Sequence, residues 1–270
     1  LIQKKNWYWD VSVNGYTYAN KMLNLPDEYK VSGMPNGNQR IYEGKDIYRW
    51  EMRQFAGLDE KGNSLWYMDR DLTDGEGNVV GVEKVTTGDA TEATQYLLEK
   101  SALPDFTGGL NTTLRWKSLD LTIMTNFQFG GYGYDYDFSA FSSANFPMNR
   151  LKNYADAWNP ETGKGSAPIW NTNDSNINAS SDRFLISKTY FNLRNITLGY
   201  TFPANWMSKI GIKSVRVYFA CDNVFFASKR KGYDPRTSMG GQGATVALNS
   251  VDGTYYSPIR TTSVGLNINF

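Results

Sequence analysis

The chain has 270 residues and a formal net charge of +1, from 28 basic and 27 acidic side chains, so it carries no global field to gather nucleic acid or an anionic membrane surface. It contains no His and one Cys, Cys221, which removes a Ser-His-Asp triad, a His-ligated zinc, a His general base, an intrachain disulfide and a Cys-rich metal site. With 40% hydrophobic and 15% aromatic residues the chain is too apolar to stay unfolded, yet no stretch approaches the roughly 18 apolar residues of a spanning helix.

Segment 1–6 is neither an initiator Met nor a signal peptide, so the chain reads as beginning inside a longer protein. The dominant periodicity is two, and it predicts strands near 6–19, 105–116, 119–130, 189–202, 214–226 and 259–270. In the first, Trp7, Trp9, Val11 and Val13 oppose Tyr8, Asp10, Ser12 and Asn14. Phe106, Leu110, Leu114 and Trp116 share one parity of the second, and Leu119, Leu121, Ile123, Phe127 and Phe129 share one parity of the third. Lys117-Ser118 between them is a tight hairpin turn. Ile196, Leu198, Tyr200 and Phe202, then Val215, Val217, Phe219 and Cys221, then Thr262, Val264, Leu266, Ile268 and Phe270 complete the apolar parities.

Connection lengths alternate. Residues 117–118 and 203–213 are short links, whereas 21–104, 130–188 and 228–258 are long. Three such long links on one end are unusual for a compact soluble domain, and they fit an outer-membrane barrel with tight periplasmic turns and long external loops. Twelve tilted residues at about 3.3 Å rise span roughly 30 Å, enough for an apolar band about 25 Å tall. Trp7, Trp9, Trp116, Tyr200, Phe202 and Phe270 fall near strand ends, where an interfacial belt sits. Alternation also suits a soluble antiparallel sandwich, because the pattern does not distinguish lipid from a protein core. Within the long links, 46–57 and 64–68 flank a turn at 60–63 and predict a hairpin, and 91–100 and 151–158 predict helices.

Several strings resemble a known family. Pro104-Asp105-Phe106-Thr107-Gly108-Gly109-Leu110, then Trp116-Lys117-Ser118-Leu119-Asp120-Leu121, then Phe127-Gln128-Phe129-Gly130-Gly131 are similar to late barrel strands of SusC/RagA-family TonB-dependent transporters. So are the run from Tyr190 to Pro203 (YFNLRNITLGYTFP), Val215-Arg216-Val217-Tyr218 leading to Asp222-Asn223-Val224-Phe225, and Gly232-Tyr233-Asp234-Pro235. Order and spacing agree along nearly the whole chain.

The resemblance implies an all-β fold, with residues 1–270 forming the C-terminal six strands of a large antiparallel transmembrane β-barrel of about 22 strands. The plug domain, its TonB box and the earlier strands are absent from these residues. It further implies a TonB-dependent active importer of oligosaccharides or peptides in the bacterial outer membrane. Its partners are a SusD-like surface lipoprotein as lid, TonB acting through the plug region, membrane lipid and the remainder of the same barrel. No enzymatic activity, cofactor or nucleic-acid partner is implied. A passive or structural barrel and a soluble β-sandwich carbohydrate-binding module are the alternative readings.

Candidate binding residues lie beyond the third strand. Tyr132-Gly133-Tyr134-Asp135-Tyr136-Asp137-Phe138 interleaves rings, which offer flat apolar faces, with carboxylates that accept hydroxyl hydrogen bonds, while Asn145, Asn149 and Arg150 add amides and a guanidinium. Tyr134, Asp135, Asp137, Asn145, Asn149 and Arg150 are thus the candidate substrate contacts, with girdle and loop packing as the competing role. Arg115, Asp120, Arg194, Arg216 and Asp222 are placed inward, because a charge facing lipid costs about 2–4 kcal/mol at mid-depth. Phe270, by resemblance to outer-membrane proteins, is a candidate barrel-assembly signal. The Gly runs at 130–133 and 240–243 lack the Lys-Ser/Thr of a phosphate loop, and the acidic run 69–76 lacks EF-hand spacing.

Overall fold

The structure, a computed structural model, describes residues 1–142, 156–171, 174, 176–177, 179–207, 209, 211–229 and 258–270. In chain order the strands are β1 (Ile2–Lys4), β2 (Trp7–Tyr16), β3 (Met34–Asn36), β4 (Gln39–Ile41), β5 (Arg49–Arg53), β6 (Phe55–Leu58), β7 (Ser64–Thr73), β8 (Val79–Thr87), β9 (Gln95–Ser101), β10 (Phe106–Trp116), β11 (Leu119–Phe129), β12 (Tyr132–Tyr134), β13 (Leu185–Ser187), β14 (Tyr190–Thr201), β15 (Ser214–Ser228) and β16 (Thr261–Asn269), with helices α1 (Tyr136–Phe141) and α2 (Ala204–Met207).

All six expected strands form, and they join in one open antiparallel sheet of order β1-β2-β10-β11-β14-β15-β16, the short β1 being an addition. The register aligns the apolar parities into continuous rows. Trp7, Trp116, Leu119, Tyr200, Val217 and Leu266 form one row; Trp9, Leu114, Leu121, Leu198, Phe219 and Val264 the next; Val11, Thr112, Ile123, Ile196, Cys221 and Thr262 the third. No second sheet stacks on this face among the described residues, so Val13 is 67% exposed and Val264 76%. A sandwich would have covered these rows. Three polar groups on the face, on Trp9, Thr112 and Thr125, are satisfied locally, as a hydrocarbon neighbour requires. The Trp9 indole donates to Thr112 Oγ1 (2.9 Å), which donates to the Asp10 carbonyl (2.9 Å), and Thr125 Oγ1 donates to the Leu110 carbonyl (2.9 Å).

Both short turns lie at one end of the sheet: Trp116 pairs with Leu119, Leu119 pairs with Tyr200, and the Thr201 amide reaches the Ser118 carbonyl (2.8 Å). Trp7 and Trp116 rings stand 6.1 Å apart at that end, whereas Phe106, Phe127 and Phe129 cluster at 5.6–6.5 Å at the other. An unexpected bulge occurs in β14. Leu193 pairs with Thr125 but Asn195 pairs with Met124, so Arg194 is an extra residue that reverses the parity and keeps Leu193 and Ile196 on the same face. Across from it Asn223 adopts φ +51°.

The buried core of the described residues lies in the long connections rather than behind the wall. Trp50, Met52, Leu98, Ala102, Tyr134, Phe184 and Leu185 form one cluster, and Trp66, Ala90 and Ala93 a smaller one. Two helix expectations need revision. Residues 95–100 of the expected 91–100 helix lie in strand β9, because Leu98 is buried beside Trp50 and Met52 while the backbone pairs with β5. An isolated ten-residue helix is marginal in water, and such tertiary pairing overrides its propensity. Residues 151–155 lie outside the described residues; of the rest, Asp156 is in a 3-10 turn and Ala157 forms an isolated bridge with Ala167, with the Trp158 amide donating to the Ala167 carbonyl (2.8 Å). The expected hairpin at 46–68 forms only in its second half, between β6 and β7, while β5 joins β4 and β9.

Candidate functional site

The face opposite the apolar rows carries the charges. Asp120, Arg216, Arg115 and Asp222 all fall on it as expected, and Arg194 sits exposed at the bulge. Arg115 pairs in register with Asp120, yet Asp120 is held by Arg216, with Nε to Oδ1 at 3.0 Å and Nη2 to Oδ2 at 2.5 Å. Gly199 makes this possible, since a Cβ there would lie 2.3 Å from Arg216 Nη2. Arg115 instead lies 5.4 Å from the centroid of the Tyr8 ring. Asn195 donates to Asp222 (2.8 Å) and Thr197 to Asn195 (2.9 Å). Nearer the long connections, Asn192, 1% exposed, donates to Asn126 (2.9 Å). The result is a polar wall with one ion pair, Asp120–Arg216, and its other charges on a ring, an amide or solvent: it suits a hydrated lumen, and among the described residues it fixes no nucleophile or acid–base pair.

The 130–189 connection is tied to this wall at its root. Gln128 donates to the Lys188 carbonyl (3.3 Å), the Gly130 amide to Thr189 Oγ1 (3.0 Å), and the Lys188 amine to the Ala102 carbonyl (3.2 Å). Burial lowers the Lys188 pKa. Above the root, β12 pairs with β13 and leads into α1.

The structure gives Tyr134 and Asp135 a supporting place rather than an open one. Tyr134 is 3% exposed, with its ring 4.6 Å from Tyr136 and 5.9 Å from Phe184 and its hydroxyl on Ser139 Oγ (3.2 Å). Burial raises its pKa, and that of Tyr136. Asp135, fully buried, is the N-cap of α1: its Oδ1 accepts the Phe138 amide (2.9 Å) and its own amide donates to the Phe184 carbonyl (2.9 Å). One oxygen of the carboxylate thus satisfies an otherwise unpaired amide at the start of the helix. Asp137 follows within α1, whereas Asn145, Asn149 and Arg150 lie outside the described residues. Asp135 standing directly before Tyr136, the first helical residue, is the cap signal in the sequence.

The acidic run 69–76 is strand end and turn. Asp74 accepts the Glu76 and Asn78 amides (both 2.9 Å) and the Asn78 side chain (3.2 Å), and Asp59 does the same for Lys61 and Asn63 in the preceding hairpin. Hydrogen bonds from the Asn78 backbone and side chain lower the Asp74 pKa; for Asp59 burial pushes upward, but the bonds from Asn63 and Lys61 outweigh it. Asp69 accepts the Tyr96 hydroxyl (2.6 Å), and burial together with that bond pushes the Tyr96 pKa up to about 12. No group of three or more carboxylates positioned to hold a metal ion occurs among the described residues.

No family model matches the chain. Curated proteins do, along its whole length: it is 24% identical over 290 residues to TonB-dependent receptor P3 of Formosa agariphila, covering 27% of that protein. Its relatives are TonB-dependent receptors. SusC of Bacteroides thetaiotaomicron is 24% identical over 276 residues, again across all of this chain and 25% of SusC. Among solved structures, the RagAB peptide transporter superposes with a TM-score of 0.75 at 25% identity, covering the whole chain and 28% of the matched one. The chain spans about a quarter of the length of these relatives, and its open sheet is part of such a barrel. The relatives are transporters and receptors, not enzymes.

Proposed function

We propose that this chain is the C-terminal barrel segment of a TonB-dependent outer-membrane importer, working under a SusD-like lipoprotein lid and energised by TonB through the plug region. The observation that carries this reading is the set of three rows, two apolar throughout and the third interrupted only by Thr112 and Thr262, that run across β2, β10, β11, β14, β15 and β16, backed by a polar face. The whole-chain likeness to SusC and to a peptide transporter supports nutrient import, with oligosaccharides or peptides as the cargo. The loop from 132 to 150 then supplies external binding groups: Tyr134 and Asp135 are its scaffold, and Asp137, Asn145, Asn149 and Arg150 are its contacts. Phe270, 78% exposed after β16, continues the apolar parity as an anchor and assembly signal, so that its deletion in the full-length protein should lower the yield of heat-modifiable barrel.

The test of the function uses the full-length transporter with its co-purified lid. Binding and uptake are measured across oligosaccharide and peptide libraries, comparing Asp137→Ala, Asn145→Ala and Arg150→Ala with Asp71→Ala. Losing one hydrogen bond in a desolvated site lowers affinity by about 1–3 kcal/mol, roughly five- to 150-fold. Three variants that behave like Asp71→Ala would leave the loop as wall and girdle, and uptake that persists without TonB would favour a passive barrel.

A further inference from the structure

The short-turn end of the wall is basic although the chain is balanced. Segments 1–6, 117–118 and 203–213 contain Lys4, Lys5, Lys117, Lys209 and Lys213 and no Asp or Glu. Of the 27 acidic residues, only Asp10, Asp120 and Asp222 lie in wall strands, and Asp120, the nearest to a turn, is held by Arg216 on the polar face. All five lysines are exposed, and none forms an ion pair among the described residues.

Their position is set by the turns. Short links bring 5–6, 117–118 and the described residues of 203–213 to one rim, where the Lys117 amide donates to the Asn6 carbonyl (3.0 Å) and the Lys213 amide to the Asn269 carbonyl (2.9 Å). Exposed rings lie at the same end: Trp7, Trp116 and Tyr200 on the apolar side of the sheet, and Trp206 in α2. The Lys117 amine leans over the Trp116 ring, 5.2 Å from its centroid, which aims a cation toward the apolar side rather than the lumen. Rings of this kind mark headgroup depth, and lysine stems reach outward from there to place the charge among phosphates.

We propose that this lysine rim is a binding surface for the phosphate-bearing headgroups of anionic phospholipids in the leaflet at the short-turn end. The inference rests on the barrel reading above and adds the partner of one of its ends. A headgroup meets one or two amines at a time, so an anionic lipid should be preferred over a zwitterionic one by roughly five- to thirtyfold at low salt. The preference should fade as salt screens it.

The experiment uses the full-length transporter in phosphatidylcholine vesicles, with spin-labelled phosphatidylglycerol and phosphatidylcholine as paired probes of the lipid in contact with protein. Wild type should prefer phosphatidylglycerol. The variant carrying Lys4→Gln, Lys5→Gln, Lys117→Gln, Lys209→Gln and Lys213→Gln should fall to a ratio near one, whereas Lys45→Gln with Lys61→Gln and Lys164→Gln, in the long connections, should keep the wild-type ratio. A salt titration of the wild-type protein gives the same answer without any variant that has to fold. An inserted, heat-modifiable barrel with no preference, or with one that is insensitive to salt or shared by the rim variant, overturns the lipid surface and leaves the barrel standing. A protein that does not enter the bilayer overturns both.

Discussion

Placing a charge at one position of β14 tests the membrane-facing wall directly. Ile196 pairs with Ile123, which pairs with Thr112, and Thr112 lies four residues from Trp116 and six from Phe106 along β10. At about 3.3 Å rise and roughly 40° tilt these steps are about 10 and 15 Å along the normal, close to the centre of a 25 Å band. Ile196→Arg in the full-length transporter should therefore cost about 2–4 kcal/mol, a roughly 30- to 900-fold fall in the folded-to-unfolded ratio. Tyr200→Arg, in the end row, should cost about 0–1 kcal/mol, and Thr197→Arg, one residue away on the polar face, should carry no lipid penalty. Urea unfolding in lipid vesicles, followed by heat modifiability, measures all three. A Thr197→Arg cost equal to that of Ile196→Arg, or no difference between Ile196 and Tyr200, would refute the assignment of faces and depth.

Gly199→Val should displace the Arg216 guanidinium and cost about 1.5–3 kcal/mol, matched by Asp120→Asn and not additive with it. Asp135→Ala should remove the α1 cap at about 1–2 kcal/mol, seen as faster amide exchange at Phe138 and Ser139, while Asp135→Asn keeps an acceptor and loses less. Asp59 and Asp74 have lowered pKa values, so their contribution to the β6-β7 and β7-β8 turns is complete above the ordinary carboxylate value of about 3.9 and is lost as pH falls below it. Protection of the Asn63 and Asn78 amides, corrected for intrinsic exchange, should drop on that acid side in the native protein and stay flat with pH in the Asp59→Asn and Asp74→Asn variant.

The wall was legible because a period of two, sustained over ten or more residues, leaves one reading of which side chains share a face. The bulge was not foreseen, although its signal is there: Leu193-Arg194-Asn195-Ile196 breaks the alternation, and an inserted residue is the simplest repair. Strand β9 was not legible, since Tyr96, Leu97 and Leu98 satisfy several periods and only the distant β5 settles the choice. The same holds for Tyr134. Rings alternating with carboxylates describe a sugar platform and a capped, packed loop equally well, and the deciding neighbour, Phe184, is fifty residues away. The Asp120–Arg216 pair was hidden for a related reason, because its geometry depends on a missing side chain on the strand between them.

The placement of the core in the long connections bears on the order of assembly. Strands β10 and β11 close across two residues, but β2 and β10 join Tyr16 to Thr107, about ninety residues apart, which for a free chain costs about 4 kcal/mol in closure entropy. The sheets β3-β4-β5-β9 and β6-β7-β8 fold that intervening length back on itself around Trp50, Met52 and Trp66. Once they have condensed, the two ends are joined by a compact tether instead of a long coil. The long connections thus shorten the search by which one hairpin of the wall finds the next.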